Sequence, residues 1–210
     1  MSEAFKILTA NNIITKDIKT AINKALFVKA VLKPKTDILV IKLREFLIQK
    51  FLDSETYDSL IYGELRAEFG LDDEEVSNIY TMLNDIIHVY FNIYNTKVNN
   101  LVTLEVGLVD KEDIDFNTHG VFYTKKGEPI HWLYWLLTQD ENEVVPDYAL
   151  YLKQGAGRSE MAIMILPKDG SGGYRVEGYF AGNEKDNWIT RTLRANKEEI
   201  VKIISQTLGS

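Results

Sequence analysis

The feature that most constrains this chain is a change of hydrophobic period at Asn99-Asn100. Before it, apolar residues recur every three to four positions. After it, they alternate every second position. A 3.6-residue period buries one stripe of a helix, and a two-residue period buries one face of a strand. The chain is therefore expected to be α+β: a helical N-terminal lobe over 1–95, then a β-rich lobe over 96–210 with a mostly antiparallel sheet and a closing helix at 186–208.

In the first lobe, Ile18, Ile22, Ala25 and Leu26 stand at helical spacing with Lys16, Lys19, Lys24 and Lys29 between them. Pro34 is expected to end that helix, because proline lacks the N–H a further turn needs. Residues 1–35 then read as a basic peripheral arm. Thr36-Asp37 is expected to cap a second helix, and Ser54 to Leu71 reads as a third, closed by Gly70. Asp72-Asp73-Glu74-Glu75 suits the positive end of a fourth helix. Its buried stripe would hold Val76, Ile79, Leu83, Ile86, Tyr90 and Ile93, with His88 in the same stripe.

In the second lobe, Val102, Leu104, Val106 and Leu108 alternate with Thr103, Glu105 and Gly107. Val121 to Thr124 reads as a further strand, and Pro129 is expected in the first turn of a short helix bearing Trp132 and Trp135. Val144 to Leu152 and Glu160 to Leu166 read as a hairpin around Gly155 and Gly157, with Tyr174 to Val176 completing the sheet. From Asp186 the chain returns to helix, with Ile189, Leu193, Ile200 and Ile204 on one side. No internal repeat or low-complexity tract interrupts this order.

Charge is segregated along the chain. Residues 1–50 hold 10 Lys/Arg against 4 Asp/Glu, residues 51–150 hold 5 against 20, and residues 151–210 hold 9 against 7. The plain reading is a solvated surface of uneven sign. The sharper reading is a basic end that meets the acidic middle of a neighbouring copy. The acidic excess, net −7, argues against a protein that coats duplex DNA. The absence of cysteine excludes disulfides, thiolate metal sites and thiol nucleophiles. No secretory leader or run of about 20 apolar residues stands out, so a soluble chain is expected.

Motifs of chemistry are faint. His88, His119 and His131 form no H-x-x-x-H pair. Asp113, Asp115 and Asn117 imitate the opening of a calcium loop, but the sixth and twelfth positions are Thr118 and Thr124, where Gly and Glu are needed. Asp169-Gly170-Ser171-Gly172-Gly173 lacks a G-x-S-x-G elbow, and Gly155 to Ser159 lacks the Gly-Lys-Ser/Thr of a phosphate loop. No catalytic residue, cofactor or metal is expected. Trp132 and Trp135 either dock the short helix on the sheet or anchor a neighbouring subunit. Trp188 with Arg191 and Arg194 poses the same alternative. Arg158, Arg175 and Arg191 flank glycine-containing turns where backbones approach closely. Together with Trp132, Trp135 and Trp188 they are the candidate protein-interface residues.

Three blocks carry a resemblance. They are Ser54 to Leu60 with Gly63 to Leu71; Ile130-His-Trp-Leu-Tyr-Trp-Leu-Leu137; and Gly157 to Met164 with Tyr174-Arg-Val176, Phe180-Ala-Gly182 and Asn187-Trp-Ile-Thr-Arg191. Spread over about 50–210, they resemble virion proteins of tailed bacteriophages of the neck, head–tail joining or tail-completion type. The sequence departs from that pattern at Glu177-Gly178-Tyr179, where a proline-containing turn is expected. The resemblance implies a non-enzymatic α+β subunit of a homo-oligomeric ring between head and tail, assembled in the host bacterial cytoplasm and found in the virion. Its partners would be further copies of itself and other virion proteins: a portal or adaptor, a tail terminator or a tail tube. DNA would pass through without sequence-specific binding, and no membrane would be involved. The alternative is a cytoplasmic protein-binding module that uses the Trp-bearing helix.

Overall fold

The computed structural model describes residues 32–89, 118–124, 127–140, 142–152, 157–183 and 185–209. Most of the arm 1–35, Tyr90, Ile93, the alternating segment Val102 to Leu108, the calcium-like segment from Asp113 to Asn117, and Gly155 lie outside them.

The chain is α+β, with helices first, two small antiparallel sheets in the middle and helices last. Helix α1, Leu32–Leu52, is longer than the sequence suggests. Pro34 falls in its first turn, where N–H groups have no intrahelical partner, so proline removes no bond there. Thr36-Asp37 accordingly lies within the helix and not at a cap. Leu39, Leu43, Leu47 and Phe51 are fully buried along one face.

The expected third helix is two: α2, Glu55–Tyr62, and α3, Glu64–Phe69. Gly63 makes the break. It passes so near Ser59 that a Cβ there would come within 2.8 Å of the Ser59 Cα, and the Ser59 hydroxyl accepts the Leu65 N–H at 3.1 Å. Gly70 closes α3 at φ 67°, its N–H meeting the carbonyls of Arg66 and Ala67, the left-handed turn that glycine adopts without strain.

Helix α4, Asp73–Ile86, begins with a full capping box between Asp72 and Glu75, which satisfies two of the orphan N–H groups. It buries Ile79, Met82, Leu83 and Ile86. Arg44 of α1 closes its far end by donating to the Asn84 and Ile87 carbonyls. His88 is not in a buried stripe: it is exposed past the end of α4 and donates from Nε2 to the Asp85 carbonyl at 2.7 Å.

Strand β1, Phe122–Tyr123, pairs antiparallel with β2, Pro129–Ile130. Pro129 thus ends up in a two-residue strand, and helix α5, Trp132–Thr138, starts three residues later. Strands β3, Ala149–Leu152, and β4, Ala162–Ile165, form the expected hairpin. Tyr174 contributes one bridge to Val145 and no further strand, so the hairpin remains two-stranded among the described residues.

The closing helix is also two, α6, Trp188–Ala195, and α7, Lys197–Gly209, broken at Asn196. Asn187 caps α6 through a reciprocal pair with Thr190. The four apolar positions expected on one side, Ile189, Leu193, Ile200 and Ile204, are all buried. One hydrophobic cluster joins them to α1, α2, α4 and α5. Helix α7 packs along α1, so the two ends of the described chain share one core.

Candidate functional site

Arg158 leaves the hairpin at Gly157, where any side chain would drive into the Ala162 carbonyl. Its guanidinium reaches across to the start of α4. Nε and Nη2 donate to Asp72 Oδ2 at 3.2 and 3.0 Å, Nη2 also pairs with Glu75, and Nη1 donates to the Tyr123 carbonyl at 3.1 Å. The plane stacks 4.3 Å from the Phe122 ring centre, a favourable cation–π placement. One side chain therefore ties hairpin, β1 and helix cap together. A hydrogen bond with the Glu75 carboxyl, then the Glu75 N–H and Arg158, hold Asp72 down at about 2. Glu75 is shifted upward, first by burial and then by its bond to Asp72.

Arg191 is equally engaged. It donates to Asp186 at 3.0 Å and to the Tyr179 and Ala181 carbonyls at 2.9 and 3.0 Å. Arg194 takes the other Asp186 oxygen at 3.0 Å. The bond from Arg191, then that from Arg194, lowers the Asp186 carboxyl against a smaller opposing effect of burial. Arg175 differs from both. Its single partner among the described residues is Glu143, at 2.8 Å, and its side chain is 56% exposed.

The tryptophans divide in the same way. Trp132 is fully buried against Phe69, and Trp188 is buried edge-on to Phe51 at 5.4 Å. Both are core side chains in a single copy, which fits the packing alternative of the two the sequence left open. Apolar side chains of this size bury about 150–250 Å² each, and the core claims that area first. Trp135 is half-buried at a cavity of about 210 Å³, which Phe69, Leu150 and Met164 also line. The structure thus scatters the six candidates. Arg158 and Arg191 are bonded within the chain with 33% and 37% of their side chains exposed, Trp132 and Trp188 are core, Trp135 is half-buried, and Arg175, at 56%, is the most exposed of the three arginines.

The surface that sequence reasoning missed is the outside of the β3–β4 hairpin. Register places Tyr151 opposite Ile163 and Ala149 opposite Ile165, and directly opposed residues share a face. Leu150 and Met164 line the inner cavity, which Ile163 also reaches, so the outward part of this second face is Tyr151 and Ile165. Tyr151 and Ile165 are each 41% exposed and Leu166, just beyond, is 59% exposed. The signal was present in the sequence. Ala162 to Leu166 is apolar at successive positions, so a strand there carries apolar groups on both faces, although only one can meet the core.

Among the described residues no group of His, Asp and Glu is placed to hold a metal ion, and no helix is long and apolar enough to cross a membrane. The Ser171 hydroxyl is bonded to Asp169 in its own turn. Comparison with protein-family models, with curated proteins and with solved structures finds no match in any of the three.

Proposed function

We propose that this chain is a structural subunit of a tailed-phage virion, a ring component of the neck, connector or tail-completion region that joins head to tail. The observation that carries the assembly reading is the exposed apolar surface of the hairpin, Tyr151 and Ile165 on its outward face with Leu166 exposed just past the end of β4. Apolar strand surface of this kind is costly to leave in water and prone to pairing with another chain. An assembly subunit covers it on incorporation. The blocks that resemble neck and tail-completion proteins supply the class of assembly. The charge segregation along the chain suits contacts between neighbouring copies.

The alternative, a binding module built on the Trp-bearing helix, draws less support. Helix α5 turns Trp132, Leu133, Leu136 and Leu137 into the core, leaving a narrow free face.

The test is location. Purified particles carrying an epitope tag on this chain should show it by mass spectrometry and at the head–tail junction by labelled electron microscopy. Loss of the gene should leave filled heads and free tails that fail to join. A chain absent from finished particles would overturn the reading.

A further inference from the structure

Between the β3–β4 hairpin and α3 lies a half-open cavity of about 210 Å³. Several elements build its wall, and six of the apolar side chains there are only half-buried. They are Ile130 of β2, Trp135 of α5, Val145 ahead of β3, Leu150 of β3, and Ile163 and Met164 of β4. Apolar groups that converge on a void forgo the contacts a close-packed interior would give them.

They are kept apart because the hairpin is tied down on two sides. On the connection between β3 and β4, Arg158 donates to Asp72 Oδ2 at 3.0 Å and to the Tyr123 carbonyl at 3.1 Å. Beyond the other end of the hairpin, Tyr174 bridges to Val145 and donates its hydroxyl to Glu68 of α3 at 2.9 Å. These bonds fix the hairpin at a distance from α3, so the space exists before anything enters it.

The wall also limits what can enter. Among the described residues that line it, Glu68 and Arg158 are the charged ones, and both are already engaged. Arg158 pairs with Asp72 and Glu75, and Glu68 accepts from Tyr174 while burial pushes it up to about 7. A cation would meet the Arg158 guanidinium. An anion would meet Glu68, with the Glu64 and Glu177 charges close behind it. Either ion would give up hydration that this wall does not replace, whereas an uncharged apolar body loses nothing of the kind. Phe69 and Phe122 join Trp135 in presenting rings to the space, and rings pack well against a further ring, offset or edge-on. An apolar cavity of about 150 Å³ lined by Leu, Ile and Phe is enough to take up benzene.

We propose that this cavity is a binding site for one small uncharged aromatic compound, a single ring with a short apolar substituent. The site lies within one copy of the chain and does not depend on the virion reading, which particle content tests separately.

Toluene is the neutral probe, with benzylamine and benzoate as charged compounds of similar shape. Titrated into the full chain at neutral pH, toluene should shift the methyl NMR signals of Ile130, Val145, Leu150, Ile163 and Met164 together and saturably, with a Kd of about 1 mM or below. The two charged rings should bind at least about tenfold more weakly. Leu150→Trp fills the space from a half-buried position and should abolish the toluene shifts at the other four residues. Val145→Phe, which fills it from outside the strands, should do the same and decides the matter if Leu150→Trp disturbs the hairpin. Absence of a saturable shift overturns the proposal, as does toluene binding that both filling variants leave intact. Benzylamine or benzoate binding as tightly as toluene would also overturn it, by showing that the wall selects charge and not an apolar ring.

Discussion

Trp188 donates its indole N–H to the Ser54 hydroxyl at 2.8 Å, linking the starts of α6 and α2 across 134 positions of sequence. The same oxygen accepts the Tyr57 N–H at 3.2 Å as the cap of α2 and donates to the Phe51 carbonyl at 2.6 Å. Ser54→Ala removes a helix cap, worth about 1 kcal/mol, and strands a buried indole donor, worth about 1–3 kcal/mol more. Urea unfolding should show a loss of about 2–4 kcal/mol. A loss below about 1 kcal/mol would mean the hydroxyl is not shared in this way.

The two buried tryptophans should respond differently to the same change. Trp132 Nε1 is buried without an acceptor among the described residues, whereas Trp188 Nε1 is bonded. Trp132→Phe therefore trades lost packing against the removal of an unsatisfied donor, and Trp188→Phe loses packing and a bond together. Trp188→Phe is expected to cost more, by about 1 kcal/mol. The reverse order would place an acceptor for Trp132 outside the described residues.

Arg158 should matter to the fold before it matters to assembly. Asp72, held at about 2 against an ordinary 3.8, contributes stability that is present above the unfolded value and lost as pH falls through about 2. Arg158→Met removes part of that hold while keeping the packing on Phe122. The expected loss is about 1–2 kcal/mol at neutral pH, discounted because a third of the side chain meets solvent. Acid titration of the variant should show a shallower fall than the parent below pH 3.8. An unchanged profile would remove Arg158 from the cap.

These long-range ties mark the limit of what periodicity carries. The Asp72–Glu75 start of α4, the Gly70 stop and the buried side of α6 and α7 were legible, because caps and stripes are set by residues within one or two turns. Gly63 was not read as a break, because glycine inside a helical pattern is often tolerated; its role comes from contact with Ser59. Pro129 fits a helix start and a two-residue strand equally well until β1 is seen beside it. Arg158 meets Asp72 across 86 positions, and nothing local announces that pairing. The interface candidates were chosen by residue type. Burial then claimed Trp132 and Trp188, and intramolecular carboxylates and carbonyls claimed Arg158 and Arg191.

Arg175 is the arginine whose reversal separates assembly from folding. Among the described residues it has one exposed partner, Glu143, and a surface ion pair of this kind contributes about 0–1 kcal/mol. Arg175→Glu should leave thermal unfolding within that margin. If residue 175 meets an acidic patch on a neighbour, complementation of particle assembly should drop steeply. Arg158→Glu and Arg191→Glu should instead lower stability first, by removing bonds to Asp72 and Asp186. Normal assembly with Arg175 reversed would exclude it from a subunit contact.

Glu68 carries the clearest pH dependence. Its carboxylate accepts the Tyr174 hydroxyl at 2.9 Å on the wall of the hairpin cavity. Burial raises it to about 7; the Tyr174 bond opposes this, and the nearby Glu177 and Glu64 charges add to it. Burial also pushes the Tyr174 phenol up, and the Glu68 charge pushes it further. The folded chain therefore holds a proton on Glu68 that the unfolded chain, titrating near 4.5, has already released. Stability from protonated Glu68 is complete below the unfolded value and is lost as pH rises through about 7, since the unfolded state then binds fewer protons. Glu68→Gln keeps an acceptor for Tyr174 and carries no charge to desolvate. It should match the parent near pH 4.5 and exceed it by about 1–3 kcal/mol at about pH 8, with urea midpoints across that range as the measurement. A Gln variant less stable than the parent at the alkaline end would show that ionised Glu68 makes a favourable contact that the amide cannot replace.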